Sequence, residues 1–157
     1  MSSLDLRALL AGLDAAEARF VVIGGVAVAA HGYVRATEDL DIVPDPSAGN
    51  LRRLGNALVR MGATLPLAEG RDYIPGDDNA RLARGESLAL DTGDGPLDIV
   101  QRTPGVPGFD ELERAAVDAD LLGVPVRVCS LAHLRRMKEA RGNSQDLADL
   151  DRLPQAE

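Results

Sequence analysis

The chain has 157 residues, enough for one hydrophobic core but not two, and its formal net charge is -8. Apolar residues make up 45% and aromatics only 3%, with no Trp, so a core must be built from Ala, Val, Leu and Ile. The acidity disfavours a general phosphate-backbone binder and docking on an anionic membrane, and the lone Cys129 excludes an intrachain disulfide or a cysteine metal cluster.

Leu4, Leu6, Leu9, Leu10, Leu13 and Ala16 recur at helical spacing and predict a helix over 3–18. Residues 20–23 (Phe-Val-Val-Ile) read as a short buried strand that stops at Gly24 and Gly25. Residues 26–31 are Ala-rich and helical, with Gly32 as the stop. A second strand is expected over 39–43, closed by Pro44-Asp45-Pro46. Ser47 is the expected N-cap of a helix carrying Leu51, Leu54, Leu58 and Met61 as far as Gly62. The polar segment 68–86, with Gly70, Pro75 and Gly76, reads as loop or irregular strand. Residues 88–90 and 97–100 read as strands of a hairpin around a turn at 91–96. A loop at 104–108, a short helix at 109–117 and a hairpin at 121–128 follow. Ser130 should cap a helix to Arg141, and Asn143 or Ser144 should start another through Leu147, Leu150 and Leu153.

No repeat or linker divides the chain, so one domain is expected over 1–157: a core over 1–117 and a closing hairpin with C-terminal helices over 118–157. The fold class is mixed α/β (α+β), one mixed sheet with flanking helices. The first residues, Met1-Ser2-Ser3-Leu4-Asp5, carry no basic stretch followed by an apolar one. The apolar run at 20–30 is too short to span a bilayer and is broken by glycines. The expected setting is cytoplasmic, with no membrane partner. His31 and His133 are far apart and no HExxH or CxxC pattern occurs, which argues against zinc.

Asp39 and Asp41 carry the strongest chemical signal. Strand side chains alternate, so both carboxylates point to one face while Leu40 and Ile42 turn to the core. Two like charges this close repel, and a divalent cation is the usual compensation; hard oxygen ligands suit Mg²⁺ or Mn²⁺, with substrate phosphates completing the shell. An isolated Asp-x-Asp is more often a solvated strand end, but its company here changes the weight. Gly24 and Gly25 follow a strand and open a helix, leaving bare backbone N–H groups for a phosphate. Leu97-Asp98-Ile99 repeats the apolar-Asp-apolar pattern, and a third carboxylate there completes a metal cluster or acts as a general base.

The stretch from Ile23 through Gly24, Gly25, His31, Gly32, Arg35 and Thr37 to Asp39, Asp41 and Ile42 resembles the signature of polymerase β-like nucleotidyltransferases. It is most similar to the branch that includes the AbiEii-type toxins of bacterial toxin–antitoxin systems. Met137, Lys138, Arg141, Asp146 and Asp149 resemble the closing helices of that branch. The resemblance implies the nucleotidyltransferase fold and transfer of a nucleotidyl group from an NTP to a hydroxyl on tRNA, protein or a small molecule. A cognate toxin or antitoxin is an implied partner. By the same resemblance Gly24 and Gly25 bind the triphosphate, Asp39, Asp41 and Asp98 ligate metal, and Arg35 and Thr37 contact phosphate. Lys138 neutralises the triphosphate with Asp146 holding it, and Arg141 adds to the nucleotide site. A solvated helix face is the alternative for Lys138 and Arg141, and packing against the sheet for His31. Gly25 departs from the Gly-Ser form of the family and removes one hydroxyl.

Two rival functions remain on the residues alone. A dinucleotide-binding fingerprint would need glycine where Val26 stands. A non-catalytic module with the same fold, serving as antitoxin or scaffold, is the other, since fold does not fix function.

Overall fold

The computed structural model describes residues 3–155; Met1 and Ser2, and the last two positions of the expected 1–157 unit, lie outside them. Helix α1 (Leu6–Ala15) starts where the Asp5 carboxylate accepts the Ala8 N–H at 3.1 Å, and it buries Leu9, Leu10 and Leu13. It is shorter than the 3–18 expected, because Glu17 takes a left-handed φ of 58°. Strand β1 (Phe20–Ile23) runs straight into α2 (Gly24–Ala30), so the glycine pair is the first turn of the helix and not a loop before it.

Strand β2 (Leu40–Pro44) and helix α3 (Ala48–Arg60) lie where expected, although the Ser47 side chain makes no capping bond. The Asp45 carboxylate instead accepts the Ser47 N–H at 2.9 Å. The segment 68–86, expected as loop or irregular strand, departs from that reading in its helix. It contains the two-residue strand β4 (Arg71–Asp72), paired with β3 (Thr64–Leu65), and a nine-residue helix α4 (Pro75–Ala83). Pro75 sits in the first turn, and buried Asp78 accepts the Ile74 N–H at 2.7 Å, so an acidic residue from the segment that read as loop or irregular strand ties down the start of a helix, with Asp77 beside it in the first turn.

The hairpin β5 (Leu88–Thr92) and β6 (Gly95–Ile99) closes over Gly93-Asp94. Helix α5 (Phe109–Ala115) ends before Val117, which opens β7 (Val117–Leu121) and not the helix expected to include it. Strand β7 pairs with β8 (Val124–Val128) around Leu122 and Gly123, both at positive φ. Ser130 caps α6 (Leu131–Arg141) and Asn143 caps α7 (Ser144–Arg152) through a capping box with Asp146.

Among the described residues, eight strands make one mixed sheet in the order β4-β3-β5-β6-β2-β1-β8-β7. At its centre β2 runs antiparallel to β1, with Ile23 opposite Asp41, and parallel to β6, with Asp41 opposite Asp98. Leu40, Ile42, Leu97 and Ile99 alternate with the aspartates and are fully buried, each contributing about 1.5–3 kcal/mol of burial energy. That wall fixes the strand register, and with it the place of the carboxylates. Among the described residues no helix is long and apolar enough to cross a membrane.

Candidate active site

Register brings the predicted carboxylates together. Asp41 and Asp98 are direct neighbours on parallel strands, and Asp39 lies one residue ahead of β2. Each of the three offers an oxygen within 4.8 Å of the others. Burial pushes the Asp41 carboxyl up to about 7, with Asp39 and Asp98 adding repulsion and Arg141 opposing it. Asp98 rises to about 6, again by burial first and then by the charge of Asp39. Burial and mutual repulsion together hold these carboxyls above their ordinary range, and Arg141 offsets them only in part. A compact set of hard oxygens in that condition fits Mg²⁺ or Mn²⁺.

A second cluster faces the first. Asp146 and Asp149, one helical turn apart on α7, are wholly buried. Lys138 Nζ lies 3.1 Å from Asp146 and 3.0 Å from Asp149, and the lysine is only 4% exposed. Arg141 donates two bonds to Asp146 at 2.7 and 2.8 Å, and Arg35 donates two to Asp149 at 2.8 and 2.9 Å. Burial works to raise the Asp146 pKa, but bonds from Arg141 and Lys138 outweigh it and leave the group at about 2. Asp149 is lowered as well: burial opposes, and bonds from Arg35, Lys138 and Gln145 prevail.

The solvated-face alternative for Lys138 is therefore overturned. Its ammonium has two buried anions to answer, and α6 turns it inward. Arg141 keeps an exposed side chain, at 62%, but its fork is fixed on Asp146. Arg35 uses two donors on Asp149 and one on the Ala36 carbonyl, leaving two of its roughly five N–H bonds for an anion.

Two hollows meet at this wall. One of about 180 Å³ is lined by Gly25, Arg35, Thr37, Glu38 and Asp39. The other, about 240 Å³, is lined by Ile23, Gly24, Val100, Val106, Leu134 and Met137, with Asp146 at its edge. Asp41, Asp98, Lys138 and Arg141 border both. The ten residues assigned site roles from the sequence thus line these two adjoining hollows. His31 does not. Its Nε2 lies 2.7 Å from the Cys129 carbonyl, which only accepts, so the ring donates there and packs α2 onto the end of β8.

The glycines have a reason beyond phosphate approach. Gly24 has φ +70°, and a Cβ there would strike the Asp41 carboxylate. A Cβ on Gly25 would lie 2.7 Å from Thr37 Cγ2 and 3.2 Å from the Arg35 guanidinium. Sequence reasoning missed Asp149 as an anchor and the apolar hollow altogether; the i, i+3 spacing of Asp146 and Asp149 was the available signal for the first. A third hollow, about 340 Å³ and lined by Phe20, Phe109 and Val126, shares none of these residues. Its arginines already have partners, Arg19 on Asp45 and Arg127 on Asp118.

No protein-family model matches the sequence, and no curated protein is similar to it. Solved structures do match. TM1012 of Thermotoga maritima, assigned as a nucleotidyltransferase, superposes with a TM-score of 0.57 at 15% identity, over 94% of this chain and 88% of that one. ANT(2″)-Ia, in complex with adenylyl-2″-tobramycin, also superposes with a TM-score of 0.57 at 15% identity, over 93% of this chain and 83% of its own. At that identity the likeness speaks to architecture. The mixed eight-stranded sheet with its flanking helices is the nucleotidyltransferase fold.

Proposed function

We propose that this protein is a metal-dependent nucleotidyltransferase, moving a nucleotidyl group from an NTP to a hydroxyl. The observation that carries it is the trio Asp39, Asp41 and Asp98, crowded within 4.8 Å of one another beside Lys138 and Arg141 in this fold. Asp39, Asp41 and Asp98 would hold Mg²⁺ or Mn²⁺, which when bound neutralises the charge developing on phosphate oxygens. The first turn of α2 at Gly24 and Gly25, together with Thr37 and the free donors of Arg35, orients the triphosphate. Lys138 and Arg141, held by Asp146 and Asp149, place positive charge beside it without having to reorganise during the reaction. Asp98 accepts the proton of the incoming hydroxyl, whose oxygen bonds to the α-phosphorus as the bond to pyrophosphate breaks.

In this reading residues 1–117 supply the triad and the glycines, and residues 118–157 close the cleft. The kinship with AbiEii-type toxins, and with it a cytoplasmic toxin–antitoxin role and a cognate partner, belongs to the same proposal and rests on the motif from Ile23 to Ile42. The test is incubation with each labelled NTP, Mg²⁺ and a cell extract. Label should pass to an acceptor with wild-type protein and not with Asp41→Asn. No Mg²⁺-dependent thermal shift with any NTP would rule out the active-site reading and leave a fold used for binding alone.

A further inference from the structure

The two hollows differ in chemistry, and the difference bears on the acceptor. The smaller one is polar almost throughout: Gly25, Arg35, Thr37, Glu38 and Asp39. The larger one is walled by Ile23, Val100, Val106, Leu134 and Met137, with Thr103 as its only uncharged hydroxyl side chain. Asp41 and Asp98 stand between the two. In-line displacement places the attacking and leaving oxygens on opposite sides of the α-phosphorus. With the pyrophosphate end toward Arg35 and Thr37, the hydroxyl arrives through the apolar hollow.

Resting on the proposed nucleotidyl transfer, we infer that the acceptor is a hydroxyl carried on an apolar, uncharged group, an aryl or alkyl alcohol, seated against Val106, Leu134 and Met137. Charge argues the same way. Asp146, which also lines that hollow, already receives Lys138 and Arg141, and Asp41 and Asp98 are taken up by the proposed metal, so no further anion remains there for the amines of a polycationic sugar. Apolar walls desolvate an apolar carrier favourably, but they leave the many hydroxyls of a ribose or an aminosugar without partners. In the step itself the alcohol oxygen bonds to phosphorus, its proton passes to Asp98, and the oxygen–phosphorus bond to pyrophosphate breaks with its electron pair leaving on pyrophosphate. The chemistry is shared by a free aryl alcohol and by a tyrosine side chain of a protein.

The experiment follows the methyl resonance of Met137 in protein saturated with Mg²⁺ and a non-reactive NTP analogue. Benzyl alcohol, N-acetyl-tyrosinamide, tobramycin and bulk tRNA are titrated in turn, and labelling of each is measured with a reactive NTP. We expect saturable shifts and labelling with the first two only. Benzyl alcohol alone would mark a free small molecule, and tighter binding of the tyrosine amide a protein side chain. Val106→Asp, a half-buried loop position, should raise the concentration for half-saturation at least tenfold while the Mg²⁺–NTP thermal shift persists; Met137→Gln, read by labelling alone, should do the same. Labelling of tobramycin or tRNA in preference would overturn the inference. So would a Met137 methyl that moves with NTP but not with tripolyphosphate and is then displaced by the alcohols, since the base would occupy the hollow. So would a methyl that no alcohol moves. Loss of the Mg²⁺–NTP shift in wild-type protein would instead overturn the transferase reading beneath it.

Discussion

Two sets of aspartates share one cleft and behave in opposite ways. Asp146 and Asp149 are the more deeply buried, yet they sit below the ordinary carboxylate range because Arg141, Lys138 and Arg35 bond to them. Asp41 and Asp98 are half-buried, yet they sit well above it, by burial first and then by the charge of Asp39, with no cation among the described residues bonded to them. Burial pushes all four upward, so depth does not separate them. Directly bonded cations do. The first set is a finished ion-pair network that shapes the cleft, whereas the second is the one to which the proposed function assigns a metal.

The sharpest way to break the first set is Asp149→Ala. Arg35 loses both of its carboxylate bonds and Lys138 one of two, deep inside the protein. Removing one partner of a buried pair costs about 3–5 kcal/mol, and chemical denaturation should show a loss of that order. A loss below about 1 kcal/mol would mean that the network is solvated and of the weak surface kind.

The second set should reveal itself through pH, with smaller effect and opposite sign. Asp41 and Asp98 bind protons more tightly folded than unfolded, where the ordinary value is 3.8, so stability falls as pH rises from about 4 through 7. Asp146 and Asp78, both at about 2, act in reverse: their contribution is full above about pH 4 and is lost as pH falls toward 2. The metal-free protein should therefore be most stable at roughly pH 4–5 and lose about 1–2 kcal/mol by neutrality, after discounting for the exposure of Asp98. Asp41→Asn should flatten the upper limb and stabilise the metal-free protein by about 1 kcal/mol at pH 7. Saturating Mg²⁺ with NTP should also offset the loss in the wild type, and not in the variant. An upper limb unchanged by Asp41→Asn would show that these carboxylates do not repel.

The contrast between the two sets also marks what the sequence could tell. The triad was legible because a buried strand writes its faces in alternation: Leu40 and Ile42, Leu97 and Ile99 frame the aspartates, and register does the rest. The network on α6 and α7 was legible only as charge. Hydropathy cannot distinguish a buried Lys138 from a solvated one when the partner that buries it lies eight residues on, across a turn. Helix α4 was hidden for a related reason. Its only buried side chains are Leu82 and the carboxylate of Asp78, so no apolar stripe announced it, although Pro75 and the two aspartates after it are ordinary helix-start residues. The apolar hollow escaped because it assembles from β1, β6, the 100–106 loop and α6, none of which carries a recognisable motif for it.

The smallest predicted effect lies at the seam between the two sets. Gly24 abuts Asp41 of the triad, and Gly25 abuts Arg35 of the network. From sequence alone, Gly25→Ser looks like a gain, since it restores a hydroxyl near the phosphates. Geometry reverses the expectation. The new Cβ would lie 2.7 Å from Thr37 Cγ2, and the guanidinium 3.2 Å away is tied down by Asp149, so the strain falls on Thr37. Overpacking of this kind costs about 1 kcal/mol or more, and Gly25→Ser should lower both stability and the Mg²⁺–NTP thermal shift. Thr37→Ser removes the obstructing methyl. Made in the Gly25→Ser background it should recover most of the lost stability, which is a coupling that a double-mutant cycle reads directly. If Gly25→Ser alone bound Mg²⁺–NTP more tightly at unchanged stability, Arg35 would be free to move, and Asp149 would not be the anchor that the network requires.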